Sequence, residues 1–228
     1  MSIFDYLYPK FCLGCGKFGI YCCRQCVQKM PKLHHLTCPE CGKPAMDGQT
    51  HPRCKKRYGL DGLLSLYPYT GIIQRAIKQM KYRFAFRVVK DVLDTANVDS
   101  VTDWKQKMEG KNILIIPIPL HASRLYYRGF NQSEIVANYI GKQLDIQVEG
   151  HTLFRMKKTL PQVDMKNRSE RLGNMKDVFD VSNIYISSHH SVVLLIDDVF
   201  TTGATMRSAA SVLKRKGIPT VWGLTIAQ

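Results

Sequence analysis

The apolar positions of this chain follow two regimes. From about residue 61 onward, short runs of Val, Ile and Leu alternate with stretches in which apolar residues recur every three or four positions. The runs 62–69, 112–118, 191–196 and 220–226 read as strands. Two of them, 112–118 and 191–196, are almost continuously apolar, as expected of strands buried on both faces. Between them lie helical patterns. Segment 71–82 places Ile72, Ile73, Ala76, Ile77 and Met80 on one side, and 86–97 reads as a second helix. Asn131, followed three residues later by Glu134, opens a third helix in the manner of a capping box, with Ile135, Tyr139, Ile140 and Leu144 on its inner face. Segment 203–216 reads as a fourth. Strands alternating with helices predict an α/β domain over residues 61–228, a mostly parallel sheet flanked by helices on both faces. Such sheets bind ligands at the carboxyl ends of their strands.

Residues 1–60 lack this pattern and form a separate module. All eight cysteines lie between Cys12 and Cys54, arranged as Cys12-x-x-Cys15, Cys23-x-x-Cys26, Cys38-x-x-Cys41 and His51-x-x-Cys54. A Cys-x-x-Cys turn folds back on itself and can place both thiolates on one metal. Gly14, Gly16 and Gly42 sit where such turns use a residue free to take positive φ. Sequential pairing gives one site from Cys12, Cys15, Cys23 and Cys26 and a second from Cys38, Cys41, His51 and Cys54. Both are closed four-ligand sets, the form of structural zinc. Cys22 is left over, either substituting for Cys23 or standing by, and His34 and His35 compete with His51. Sixty residues with few large apolar side chains cannot be held by burial alone, so zinc supplies the missing folding energy.

Charge sharpens the division. The 228 residues carry a formal net charge of +15. Residues 1–60 hold ten Lys/Arg against Asp5, Glu40 and Asp47, a balance of +7, leaving +8 for the remaining 168. A basic balance of this kind is the footprint of a polyanion binder, a nucleic acid or a polyphosphate, or else a solubilising surface. No apolar run is long enough for a membrane span. Residues 1–10 lack the charged-then-apolar order of a signal peptide, so the expected location is the cytoplasm, where disulfides are disfavoured and paired cysteines bind metal.

The chemistry concentrates after the clearest strand, in Val192-Val193-Leu194-Leu195-Ile196-Asp197-Asp198-Val199-Phe200-Thr201-Thr202-Gly203-Ala204-Thr205. A buried strand ends in two carboxylates, and a Thr/Gly loop then opens a helix. Backbone N–H groups, the hydroxyls of Thr201, Thr202 and Thr205 and the positive helix end suit a phosphate. Two carboxylates beside that cradle can take two ribose hydroxyls, which fits a sugar phosphate better than a nucleoside triphosphate. Upstream, Pro119, Leu120 and His121 follow the strand 112–118, and Arg124 and Arg128 follow them. Two arginines beside a strand end suit pyrophosphate, because each guanidinium binds phosphate oxygens in pairs. The stretch 159–179, with Gln162, Arg171, Asn174 and Phe179, is polar, and its basic residues with those just before it (Lys157, Lys158, Lys166, Arg168, Arg171) suit a mobile lid over the pyrophosphate.

The 192–205 segment closely resembles the phosphoribosyl pyrophosphate (PRPP) signature of type I phosphoribosyltransferases. The resemblance implies that Asp197 and Asp198 hold the ribose 2′ and 3′ hydroxyls and that Thr201 to Thr205, with Gly203 and Ala204 between, hold the 5′-phosphate. Purine-using members often carry an Asp where this chain has Thr201, which puts an Asp-assisted purine mechanism in doubt. The paired cysteines, Tyr69-x-Gly71 with Lys78 and Lys81, Arg128-Gly129-Phe130-Asn131-Gln132, then Gln162, Arg171 and Asn174, then Asp197-Asp198-Val199, resemble in that order the ComF (competence protein FC) family over essentially the whole chain. His51 stands where that family usually has cysteine. The resemblance implies a role in natural transformation, handling incoming single-stranded DNA beside the competence helicase and the recombination mediator.

Three functions remain open at this level. A phosphoribosyltransferase would bind PRPP with Mg²⁺, with Asp197, Asp198 and Arg128 as its catalytic set and Arg124 and Arg128 neutralising pyrophosphate. A DNA-binding protein would track phosphates with the Lys and Arg of the zinc module and of 155–171 and stack bases on Tyr126, Tyr127 and Phe130, unless these pack into a hood. A PRPP sensor would keep the site without turnover.

Overall fold

The computed structural model describes residues 9–31, 33–81, 86–96, 98–156, 178–182 and 190–228. Its centre is the strand that the sequence marks most strongly. Strand Val192–Val199 lies between Thr220–Ala227 and Ile113–Pro117, and Gly62–Tyr67 completes the sheet beyond Thr220–Ala227. In chain order these are β1 (Gly62–Tyr67), β2 (Ile113–Pro117), β5 (Val192–Val199) and β6 (Thr220–Ala227), in spatial order β1-β6-β5-β2. All three pairings are parallel. β3 (Leu153–Arg155) and β4 (Phe179–Val181) form a separate antiparallel pair.

The continuous apolar run of β5 follows from burial on both faces. Side chains alternate along a strand, so Val192, Leu194 and Ile196 enter one core while Val193 and Leu195 enter the other. The first core is closed by α2 (Gly71–Gln79), α3 (Phe86–Leu93), α4 (Asp99–Lys107) and α6 (Gln132–Leu144). The second is closed by α7 (Ala204–Arg215), through Met206, Ala209, Ala210 and Leu213, and by Leu153, Phe179 and Val181 of the β3–β4 pair. Burying each such Leu or Ile contributes roughly 1.5–3 kcal/mol.

Element types agree with the sequence where the period is strong, and ends move by a few residues. The strand expected over 62–69 stops at Tyr67, and the helix expected over 71–82 stops at Gln79. β5 runs three residues past the expected end, to Val199, because Asp197 and Val199 still pair with Thr225 and Ala227. The two acids therefore belong to the strand instead of following it. Among the described residues, four elements of the α/β domain had no strong apolar period to announce them: α4, α5 (Ala122–Arg128), β3 and β4.

The cysteine-rich segment, which carries the short helix α1 (Arg24–Gln28), packs onto this frame at several places. Cys12, Cys22 and Cys23 join the first core, and the backbone N–H of Tyr21 donates to Asp91 of α3 at 2.7 Å. Farther on, Gln49 bridges Gly62 at the start of the edge strand β1, Thr37 donates to the Gln228 side chain, and Lys107 pairs with Asp47 at 2.6 Å. A sheet edge covered in this way is withdrawn from pairing with other chains. Among the described residues, no helix is long and apolar enough to cross a membrane.

Candidate functional site

Two turns of identical hydrogen bonding build the metal sites. The N–H of Cys12 donates to the Lys17 carbonyl and that of Gly16 to the Cys12 carbonyl. The N–H of Cys38 donates to the Lys43 carbonyl and that of Gly42 to the Cys38 carbonyl. Gly16 and Gly42 take φ of 76° and 71°, the left-handed conformation that closes each turn at no steric cost. Gly14 is needed for a different reason from the one its position implied. It does not take positive φ; a Cβ there would lie 2.6 Å from the Cys26 sulfur and 3.3 Å from Ile72.

The turns bring the ligand atoms of Cys12, Cys15, Cys23 and Cys26 within 4.8 Å of one another, and likewise those of Cys38, Cys41, His51 and Cys54. Cys22 is a fully buried core residue and not the alternative ligand. His51, and neither His34 nor His35, completes the second set. Its Nε2–H donates to the Pro44 carbonyl at 3.0 Å, which fixes the tautomer and leaves the Nδ1 lone pair facing Cys41, 3.4 Å from its sulfur. Both donor sets fit tetrahedral Zn²⁺ with no position left for water, so the metal is structural.

The second site lies at the carboxyl ends of β2 and β5. Asp197 is half-buried at the end of β5, and its Oδ1 accepts from the Ser133 hydroxyl at 3.2 Å and from the Asp198 N–H at 2.9 Å. Burial, and then the neighbouring Asp198 charge, push its carboxyl up to about 7; the Asp198 N–H, the Ser133 hydroxyl and Arg155 oppose the rise. Arg128 lies beside Asp198: burial lowers its guanidinium from the ordinary value, Asp198 opposes this and Arg124 adds to it. Burial and the Asp198 charge raise the Tyr69 phenol. The structure thus gathers Asp197, Asp198, Arg124 and Arg128 and adds Tyr69, Ser133 and Arg155.

In the sequence Arg155 stands only among the cations of 155–171, not as a partner of the acid pair. It belongs to the three-residue strand β3, which pairs with β4, and its charge acts on Asp197 from there. Burial and the charge of Arg124 lower its guanidinium, while Asp197 counters them. Its guanidinium also lies over the Phe179 ring, 5.5 Å from the centroid.

The Asn131-Gln132-Ser133 sequence acts as a connector. Asn131 caps α6 by accepting from the Ser133 N–H, and its own amide donates to the Ile118 carbonyl at 3.1 Å. Gln132 donates to the Met80 carbonyl at the end of α2, and Ser133 holds Asp197. Three consecutive side chains therefore tie α6 to α2, β2 and β5. The Ile118 N–H in turn donates to the Ile196 carbonyl, which sets Pro119 and Leu120 beside the acids.

After β5, Thr201, Thr202 and Gly203 lead into α7 at Ala204 and Thr205. Gly203 takes φ of 71°, and a Cβ there would lie 2.3 Å from the Phe200 ring. Glycine is thus required by backbone conformation and by Phe200 together. The expected packing of Tyr126 and Tyr127 into a hood is not found: they are 86% and 67% exposed on α5. Gln162, Arg171 and Asn174, with the basic residues 157–168, lie outside the described residues.

A pair of four-ligand zinc turns mounted on a parallel α/β sheet, with two acids and three arginines at the sheet's carboxyl end, defines a zinc-ribbon α/β protein. Residues 3–55 match the double zinc ribbon domain family. The chain is similar to competence protein ComFC of Bacillus subtilis (strain 168), 29% identical over 205 residues that cover 86% of this chain and 78% of that protein. Competence protein F of Haemophilus influenzae is 32% identical over 115 residues, half of each chain. DNA utilization protein YhgH of Escherichia coli (strain K12) is 26% identical over 215 residues, 92% of this chain and 90% of that one.

Proposed function

We propose that this chain is a cytoplasmic PRPP-binding protein of the phosphoribosyltransferase type that serves DNA uptake or utilization. The observation that carries this reading is the half-buried Asp197–Asp198 pair at the end of β5, followed by a glycine-opened helix start and acted on by the charges of Arg128 and Arg155, with Arg124 beside them. In this reading the two carboxylates accept from the vicinal ribose hydroxyls. The N–H groups and hydroxyls of 201–205 hold the 5′-phosphate. Arg124 and Arg128 take the pyrophosphate oxygens, and Arg155 keeps Asp197 ionised once the ligand is in place. Mg²⁺ arriving with the pyrophosphate would neutralise part of its charge. With an acceptor nucleophile, the anomeric C–O bond would break, its electron pair leaving with pyrophosphate, as the acceptor forms the new bond. The names of the relatives ComFC, competence protein F and YhgH support the DNA context.

Calorimetric titration of the zinc-loaded protein with PRPP and Mg²⁺ tests the binding. Micromolar affinity abolished by Asp197→Asn/Asp198→Asn is the expected result, and no heat from a folded protein would end the reading.

A second reading, direct binding of single-stranded DNA, is favoured by the exposed rings. Tyr126 and Tyr127 stand next to Arg124 and Arg128, and Phe11 and Phe18 pack edge to face on the first zinc turn while about half exposed, near Lys10 and Lys17. Rings for stacking among cations for phosphates are the components of a single-strand surface. Affinity falling steeply with salt would support it; affinity independent of salt would exclude it.

A further inference from the structure

The second zinc turn touches the loop that opens α7, and one side chain makes the connection. Arg207 stands in the first turn of α7. Its Nη1 donates to the carbonyl of Pro39 at 2.5 Å, and its Nη2 donates to the carbonyl of Thr202. The same guanidinium lies 5.9 Å from the Phe200 ring centroid, and that ring fills the space above Gly203. Pro39 sits between the ligands Cys38 and Cys41, so its carbonyl is aimed by closure of those two thiolates on one metal. Lys56 pairs with Glu40 in the same turn at 2.5 Å and ties it to the chain beyond Cys54. A planar guanidinium with rigidly spaced donors can hold two carbonyls at once, and both must be in place for it to do so. Acceptor carbonyls on a metal-closed turn and on a phosphate-facing loop make a strut between the two.

We propose that Arg207 is a positioning residue that couples the second zinc centre to the Thr201–Thr205 loop. Loss of metal from Cys38, Cys41, His51 and Cys54 then releases the loop and weakens whatever affinity for a sugar phosphate the loop supplies. Only this last consequence rests on the PRPP reading; the strut itself does not. By linkage, the coupling is reciprocal, so a ligand held by the loop also raises the equilibrium affinity of the second centre for zinc.

Amide hydrogen exchange on the full chain tests the strut without any ligand. Limiting chelator is added, and peptides covering 10–27 and 37–55 show which centre has emptied. Exchange across 200–206 is expected to rise about tenfold, the effect of losing a hydrogen bond to a charged donor, in step with 37–55 and not with 10–27. Arg207→Met is expected to show that faster exchange with zinc still bound, and chelation then adds nothing. Arg207→Lys keeps the charge with a single donor group, so it restores global stability but not the coupling. A merely structural role for Arg207 would lower stability and leave the response of 200–206 to chelation unchanged. That result, or protection of 200–206 that ignores the metal in the wild type, overturns the proposal. PRPP with Mg²⁺ is then titrated into metal-loaded and depleted samples. Equal affinity in both overturns the coupling to ligand capture. Coupled exchange with no PRPP binding in any sample leaves the strut standing and removes the sugar-phosphate reading.

Discussion

Replacing Asp197 by Asn should make the ligand-free protein more stable at alkaline pH, and the size of the gain follows from burial. In the fold the carboxyl is raised to about 7, chiefly by desolvation, whereas an unfolded chain titrates it near the ordinary 3.8. A raised carboxyl binds a proton more readily folded than unfolded. Its contribution to stability is therefore complete below about pH 4 and disappears as pH rises through about 7. At pH 5 the folded carboxyl lies about two pH units below its midpoint, so the wild type is on the order of 2–3 kcal/mol more stable there than at pH 8 on this account alone. Asn carries no charge at either pH. The assay is urea unfolding of both proteins with zinc at saturation, at pH 5 and pH 8. The difference between variant and wild type should shift by about 2–3 kcal/mol in favour of the variant on going to pH 8. Zinc thiolates and histidines titrate equally in both proteins and cancel. A difference that is the same at both pH values would refute the argument and show that Asp197 is ionised throughout, held by Arg155 and Ser133.

Other outcomes follow from neighbouring contacts. Ser133→Ala removes a hydrogen bond to Asp197, so its carboxyl should titrate still higher and PRPP affinity near pH 7 should fall about tenfold, with recovery at higher pH in calorimetric titrations. Gly203→Ala must take positive φ and meet Phe200 at once, so urea unfolding should report a loss of about 2 kcal/mol or more. His51→Ala should lower bound zinc from two ions to one by colorimetric release assay, with loss of exchange protection over 37–55 but not over 10–27. Tyr126→Ala/Tyr127→Ala should leave thermal stability unchanged, since both rings are exposed, and should weaken single-stranded DNA binding by about 1–3 kcal/mol per stacked base if that surface is used.

The resemblance of two metal turns and one acid pair to known signatures was legible because each is a short local pattern. The geometry around them was not. Asn131, Gln132 and Ser133 read in sequence as a helix start with polar neighbours. Their partners, the carbonyls of Ile118 and Met80 and the carboxylate of Asp197, lie 13, 52 and 64 positions away. Arg207 reads as one more cation on an amphipathic helix, yet it spans 168 positions to reach the second zinc turn. The expectation for Gly14 erred in the same way: its spacing implied a backbone role, and the fold uses its missing side chain against Cys26.

What the chain determines on its own is therefore local. Periods of two and 3.6 place strands and helices, because burial of one face or both is written into neighbouring residues. Four ligand pairs place two zinc centres, because each thiolate's partner is three residues away. What only the tertiary structure decides is long-range. It brings the charge of Arg155 to act on Asp197, desolvates that carboxylate until its titration nears neutrality, and sets a zinc turn against the start of α7. These depend on desolvation and on contacts between distant segments, and neither quantity exists until the sheet has closed and its helices have packed.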